Sequence, residues 1–445
     1  MEKRIAVVGG GVAGTSAAWM LARHHHVTLF EAEPYVGGHT CTIDAPLCDG
    51  TYPVDTGFMV FNPRNYPHLC ALFKHLGVDA QYSDMSFSCA DREDNLEYNG
   101  ESLRGLFTQR WNLLRPRFLR MVLDILRFNR RAKRDLERSL PDDTGLGEYL
   151  AAGRYGTSFH RHYLLPMAAA IWSCTPQSLQ DFPAHRFLAF FRNHGLLDLV
   201  DRPQWLTVRG GARTYIERLL PAIQEVRTAT PVDRIERPAP GDVRLHGERG
   251  ELGRFDEVVL AAHADQSLAM LAEPSAEEQK ILGGCRFQPN EAILHTDSAA
   301  MPMRRGAWAS WNHISAADAG SRRPVSVTYW LNRLQRVPSH EDVFVTLNPV
   351  DTIAEERIIR RLSFTHPVLD KAAAASQEAL PRIQGTNATW YCGAWTGYGF
   401  HEDGIRSAVQ VAERLGAPPP WGSAPESAVD TLDTAGQSTP AGVPA

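Results

Sequence analysis

The sequence predicts an α/β fold in which a parallel sheet carries a nucleotide-binding turn and an α+β domain is inserted between the pieces of that sheet. Three observations predict it. A glycine turn separates a strand from a helix at the N-terminus. A second strand, glycine loop and helix close the folded part near residue 416. Between them, short strands are interrupted by two long blocks of different character.

Ile5 to Val8 is a short apolar strand, broken by Gly9-Gly10-Gly11-Val12-Ala13-Gly14. Gly9 permits the tight turn, Gly11 lets a pyrophosphate approach the backbone, and Gly14 permits close packing of helix on strand. The helix opening there, with Val12 and Ala13 at its start, aims free N–H groups and its positive end at phosphate. Val27-Thr28-Leu29-Phe30 forms the next strand, and Glu31 at its end lies seventeen residues beyond Gly14. A carboxylate there accepts hydrogen bonds from ribose hydroxyls and repels a 2′-phosphate, favouring the adenosine diphosphate of FAD or NAD over NADP. Glycine loops are common, but strand, helix and acid at this spacing point to a Rossmann-type dinucleotide site.

At 445 residues the chain is long enough for two or three domains, with an ordinary 43% hydrophobic and 22% charged content. A net charge of −5 argues against general nucleic-acid binding. The seven cysteines are scattered and form no Cys-x-x-Cys pair, which suits buried thiols in a reducing compartment and no zinc site. The N-terminal apolar stretch runs into the glycine turn and so does not read as a signal peptide. Nothing approaches the ~20 apolar residues of a membrane span. A cytoplasmic, enzyme-sized protein is expected.

Toward the C-terminus, Ala388 to Cys392 is strand-like and breaks at Gly393, and a loop through Glu402 and Asp403 leads into a helical stretch from Gly404 to Leu415. In the middle, Glu225 to Thr228, Pro231 to Glu236, Val243 to His246 and Phe255 to Ala262 read as strands separated by turns. The last of these is apolar enough to return to the first sheet. The nucleotide-binding domain is therefore expected over 1–89, 204–265 and 385–416, and the second domain over 90–203 and 266–384. The Ser/Thr/Ala/Gly/Pro-rich residues 417–445 read as a disordered tail. In the second domain, Val325 to Leu331 and Val343 to Leu347 suit an antiparallel sheet walling a substrate chamber. Trp111, Leu114, Phe118, Met121, Ile125, Phe128 and Ala132 recur at helical spacing, with Pro116 placed to begin the helix. Residues 104–138 carry eleven Arg/Lys against three Asp/Glu. Such a stretch is either a basic amphipathic surface for anionic headgroups or, more commonly, a solvated helix with an apolar core face.

Gly37-Gly38-His39-Thr40 adds a glycine doublet just after Glu31, and Val54-Asp55-Thr56-Gly57-Phe58-Met59-Val60-Phe61 places a glycine and an aromatic where a ring would stack. With the C-terminal loop, these residues resemble the flavin amine oxidase superfamily, which includes monoamine oxidases, carotenoid desaturases and protoporphyrinogen oxidases. The resemblance covers the chain to about Gly416 and implies non-covalent FAD in a three-layer ββα domain. It implies that Gly9, Gly11, Gly14 and Glu31 hold the ADP portion and that Val232 meets adenine through its backbone. Gly37, Gly38 and His39 would follow the ribityl chain, and Gly57 and Phe58 would approach the ring. Gly404 and Ile405 would open the final helix beneath the flavin, with Gly393 and Asp403 completing that loop. Gly-Gly-His-Thr and Tyr-Gly-Phe-His-Glu-Asp-Gly look like a bacterial branch encoded beside methyltransferases, similar to the desaturase of methylated fatty acids in furan fatty acid formation. A lipid-like substrate and a methyltransferase partner are implied. The basic charge of 104–138, separately, suits a peripheral approach to the inner membrane face.

The chain also departs from the family. His39 stands where an arginine is usual, no lysine occurs over Glu291 to His295, and Ala394 replaces an acid. His401 replaces an aromatic of the amine cage, and no cysteine between Ala372 and Tyr391 is available for a thioether. These departures weigh against amine oxidation and leave FAD binding untouched. An oxidation forming a double bond needs a base, for which His401 is the first candidate, then Glu402 and His39. His401 equally suits a cap or a flavin hydrogen bond. An amine oxidase, a redox-neutral flavin isomerase and a non-catalytic flavoprotein remain as alternatives. His24-His25-His26 lies far from this chemistry, and no metal is expected. Trp172, Trp308, Trp311, Trp330 and Trp395 suit either an apolar channel or core.

Overall fold

A computed structural model describes residues 2–138, 141, 144–172, 179–198, 202–315 and 326–422. In it the strand Arg4–Val8 lies at the centre of a five-stranded parallel sheet. The order is Thr389–Tyr391, Glu257–Leu260, Arg4–Val8, His26–Phe30 and Glu225–Arg227. Covered on both faces, the inner strands Glu257–Leu260 and Arg4–Val8 are near-continuous apolar runs. Ile5 and Val7 share a core with the helix Val12–Leu21 and with Ile405, Ala408 and Ala412 of the last helix, His401–Arg414. Ala6 and Val8 face the opposite layer, where Ile235, Val243 and Leu245 come from an antiparallel three-stranded meander over 234–255. The result is the expected ββα sandwich.

The central strand, the first helix and the turn between them are fixed by one close approach. A Cβ on Gly14 would overlap the Gly9 carbonyl oxygen and come within 3.0 Å of the Ala261 side chain. Glycine at 14 is thus what lets the helix pack across the ends of two strands. His25 ties the same layer together: its Nδ1 accepts the Lys3 N–H, and Nε2 donates to the Leu415 carbonyl at 2.7 Å.

A second, seven-stranded sheet runs in the order Ile358–Pro367, Phe287–His295, Phe344–Leu347, Ser326–Trp330, Trp311–Ser315, Phe87–Asp91 and Leu96–Asn99. Ser326–Trp330 and Phe344–Leu347 pair antiparallel as expected, whereas Trp311–Ser315 and Phe87–Asp91 are parallel. Phe87–Asp91 straddles the boundary expected at residue 89, because its ladder partner comes from far along the chain. An arm of helices covers one end of this sheet. Its longest member, Pro116–Glu137, buries Phe118, Met121, Phe128 and Ala132 against Phe159, Phe187 and Phe191.

Three expectations are corrected. Trp111 and Leu114 do not belong to the buried stripe: they sit in a separate turn, Arg110–Leu114, and are exposed. Val232 lies before the strand Arg234–Ala239, where Pro231 has no N–H for a ladder. Ala417 to Gly422, assigned to the tail, are packed: Ala417 is buried, and Trp421 stacks on Trp19 and donates its Nε1–H to His68. Residues 423–445 of the expected tail and Cys174 lie outside the described residues.

Replacing Gly14 with Ala should force the helix off the Gly9 carbonyl and cost about 1–3 kcal/mol, the usual penalty of an overpacked core. The check is a fall in the urea midpoint at an unchanged slope.

Candidate functional site

The two helices that begin at opposite ends of the sequence meet at their N-termini. A Cβ on Gly404 would lie 2.8 Å from Val12 Cγ1, so the last helix reaches the first only because residue 404 has no side chain. Their positive ends open on one cavity of about 1160 Å³.

One end of the cavity is lined by Gly9, Gly10, Gly11, Val12 and Ala13, by Glu31 and by Val232. Glu31 ends its strand with one carboxylate oxygen accepting the Gly10 N–H at 2.6 Å and the other accepting the Glu33 N–H at 2.9 Å. The middle is lined by Gly38, His39, Gly57, Phe58, Gly393 and His401. Across from them stand Phe364 and His366 of the strand Ile358–Pro367, together with His263 and Tyr329. The far end runs into the helical arm among Val122, Ile125, Leu126, Tyr163, Met167 and Ile171. A polar turn, a histidine-lined waist and an apolar tunnel thus form one space.

Four histidines mark the waist. His401 starts the last helix and is not on the preceding loop. Its ring stacks on Phe58 at 3.7 Å, and its Nε2 lies 3.0 Å from Thr40 Oγ1, which also bonds the Tyr215 hydroxyl at 2.6 Å. Burial pulls its pKa down to about 3. His39 stacks on Phe364 at 4.9 Å, and its buried Nε2 has no partner. Burial, then the neighbouring His366, His263 and His401, hold its pKa well below the usual imidazole range. His263 stacks on Phe287 and is lowered by burial, and His366 is brought to about 4 by burial and by His263. All four rings are therefore neutral at physiological pH.

The protonated nitrogen of His366 can be assigned from its neighbours. The Glu291 N–H donates to Asn348 Oδ1, leaving Asn348 Nδ2 to donate to Asn290 Oδ1 at 2.7 Å. Asn290 Nδ2 must then donate to His366 Nδ1, at 2.8 Å. With Nδ1 an acceptor, neutral His366 carries its proton on Nε2.

Other candidates serve the framework. Glu402 is absent from the cavity lining: its carboxylate accepts the N–H groups of His68 and Leu69 at the start of the helix Pro67–Leu76, and burial pushes its pKa up to about 8. Asp403 accepts the N–H groups of Tyr398 and Phe400 and pairs with Arg406. Gly14, Gly37, Gly404 and Ile405 also lie outside the lining. Of the tryptophans, Trp311 and Trp395 line the cavity, while Trp172, Trp308 and Trp330 pack in cores. Among the described residues, Asp91, Asp94 and His162 could group around an ion; the Arg161 guanidinium pairs with Asp91 at 2.9 Å and with Asp94 at 3.6 Å. Sequence reasoning missed His263, Phe364, His366 and the arm residues of the tunnel. Phe364 and His366 had a legible signal, since alternate residues of one strand share a face.

The residues fit FAD. Gly11 presents open space where a Cβ would be, and its φ of −71° is one any residue adopts, so its backbone is bare toward the cavity. The unpartnered His39 Nε2 offers a polar contact at the waist.

The model of the family of flavin containing amine oxidoreductases matches residues 12–324. Carotenoid phi-ring synthase of Streptomyces griseus is 29% identical over 317 residues, 66% of this chain and 57% of that protein. The Chlorobaculum tepidum protein of the same name is 38% identical over 77 residues, 17% of this chain and 12% of that one. The chain thus spans little more than half the length of the longer-matching relative. Among solved structures, the CLA-producing fatty acid isomerase from P. acnes superposes with a TM-score of 0.64 at 16% identity, covering 93% of this chain and 98% of that one. Cyclohexylamine oxidase from Brevibacterium oxydans does so at 0.63 and 16%, covering 94% and 100%. Both share the fold.

Gly11→Leu should leave the melting temperature of the flavin-free protein unchanged while weakening FAD binding by about 100-fold or more, equivalent to ~2.7 kcal/mol of overlap. Calorimetric titration of the stripped protein reads this. The His366 and His401 pKa values make a second prediction. Unfolded imidazoles take up protons near 6.5 and these two only near 4 and 3, so the stability they contribute is full above pH 6.5 and is lost as pH falls below it. In NMR spectra the His366 ε1 resonance, assigned by its loss in His366→Gln, should therefore stay at its neutral position from pH 8 to about 5.

Proposed function

The chain belongs to the family of flavin containing amine oxidoreductases, and from that premise we propose that it is an FAD-dependent oxidoreductase acting on a lipid-like substrate, a long fatty acyl or comparable chain with methylated or unsaturated carbons. The observation that carries the reading is the continuity of the cavity from the glycine turn, through the waist, into the apolar tunnel of the arm. A tunnel walled by Val122, Ile125, Leu126, Met167 and Ile171 gains from desolvating methylene groups, and none of these five side chains carries a charge for an ammonium. Relatives named for a carotenoid and a fold neighbour named for a fatty acid support the same direction.

The chain's own residues bind, orient and exclude water. The turn Gly9–Ala13 and Glu31 hold the dinucleotide, and the two helix N-termini favour negative charge between them. FAD supplies a two-electron acceptor when bound, so loss of two hydrogens from adjacent carbons leaves a double bond. His366 lines the waist and holds a proton at Nε2. His401 is neutral, engaged by Thr40 and backed by Phe58, and so orients the waist and is a weak base. Neutral histidines and packed aromatics keep the reacting region dry, which strengthens any hydrogen bond made there.

The purified protein should release FAD on acid precipitation. Under anaerobic conditions its visible flavin band should bleach with a methylated or unsaturated fatty acyl substrate and persist with primary amines. His366→Gln should slow that bleaching by about 10²-fold, the usual effect of removing one positioned donor. Bleaching by amines alone would replace this reading with amine oxidation. Substrate conversion without net consumption of an acceptor would replace it with isomerisation.

A further inference from the structure

We infer that the outer face of the arm docks on an anionic lipid bilayer and that the tunnel opens onto that bilayer. Leu103, Trp111, Leu114, Leu119, Leu123 and Leu126 are exposed large apolar side chains from one continuous stretch of chain. Leu114 is 72% exposed, Trp111 71% and Leu123 63%, so their apolar surface stands free to meet a partner. On the helix Pro116–Glu137, Leu119, Leu123 and Leu126 fall at four- and three-residue steps and share one stripe. That stripe is separate from the buried one of Phe118, Met121 and Phe128, so the helix has two apolar faces.

Charge identifies the occupant. Arg104 and Arg110 adjoin the exposed apolar residues in sequence, Arg130 lies on the leucine stripe's side of the helix, and none of the three pairs with a carboxylate among the described residues. Arg120 and Arg127 share the single buried Asp124, which leaves one of their two positive charges uncompensated. Apolar side chains including a tryptophan, ringed by unpaired arginines, match a bilayer surface with phosphate headgroups outside and acyl chains within. A groove for a protein segment would need a concave apolar cleft, whereas these side chains project from a helix and the turn before it.

The position of the tunnel argues for the same partner. Leu126 is both exposed and part of the cavity wall, and its neighbours Val122 and Ile125 line the tunnel. The cavity thus reaches the surface at the edge of the apolar stripe. A lipid chain would pass from bilayer to tunnel between leucines, without crossing water. Binding to vesicles does not depend on turnover, so it can be tested separately from the oxidoreductase reading.

The experiment is co-sedimentation of the full FAD-loaded chain with vesicles of phosphatidylcholine, with and without phosphatidylglycerol. Binding should require the anionic lipid and decline with salt. Arg110→Glu with Arg130→Glu should weaken it by about 25-fold, near fivefold for each arginine lost. Trp111→Ser with Leu114→Ser should weaken it by roughly tenfold per residue. All four positions are solvent-exposed, and flavin content with circular dichroism verifies that the variants are folded. Wild-type protein that stays in the supernatant with anionic vesicles, or binding that neither double variant changes, would overturn the proposal. Concentration-dependent dimerisation lost in Trp111→Ser/Leu114→Ser, without vesicle binding, would overturn it in favour of a second copy of the chain.

Discussion

The contact between the first and last helices at Gly404 holds the rest of the molecule in place. Each helix is short of partners for its first N–H groups, and each brings its positive end to the same point. Bringing two such ends together is electrostatically unfavourable unless negative charge lies between them. The protein meets this partly with its own acids: Asp403 accepts two N–H groups of the preceding loop, and Glu31 accepts the Gly10 N–H at the mouth of the turn. An anionic dinucleotide would satisfy what remains. The steric economy of Gly14 and Gly404 and the electrostatics of the cavity are therefore two aspects of one arrangement.

Much of the sheet and of the dinucleotide end was legible in the sequence because its signals are local. Strand, turn, helix and Glu31 lie within about thirty residues, and each has a stereochemical reason that a single chain displays. The waist was read only in part. His39, Gly57, Phe58 and His401 were found through motifs close to glycines, whereas His263 caps the helix Ala264–Met270 and His366 ends the strand Ile358–Pro367, two elements that only the tertiary fold brings together. Glu402 illustrates the opposite error: beside His401 in sequence, it turns away on the helix and serves the backbone of His68 and Leu69. Neighbours along a helix are 100° apart, so proximity in sequence did not mean a shared site.

The waist also shows how a polar wall can be made weakly basic. A histidine in water titrates within reach of neutral pH, and this is its ordinary use in acid–base chemistry. Here stacking against Phe58, Phe287 and Phe364 removes water from three of the rings. Mutual repulsion then disfavours a second charge beside any first one. The chain keeps the hydrogen-bonding geometry of imidazole while suppressing its charge, which fits an apolar tunnel better than a cationic wall would.

The five-stranded sheet has an implication for biosynthesis. Of its strands the central one leaves the ribosome first, one flanking partner is Glu257–Leu260, and the edge strand Thr389–Tyr391 and the last helix emerge after all the others. At ~5–20 residues per second, the roughly 380 residues between Val8 and Thr389 take about 20–80 s to translate. Throughout that interval the nascent Ile5-Ala6-Val7-Val8 segment lacks its full set of neighbours and the two-helix mouth does not exist. Flavin capture therefore waits until the last helix has emerged, and until then the nascent chain depends on whatever shields the apolar sheet face that this helix covers.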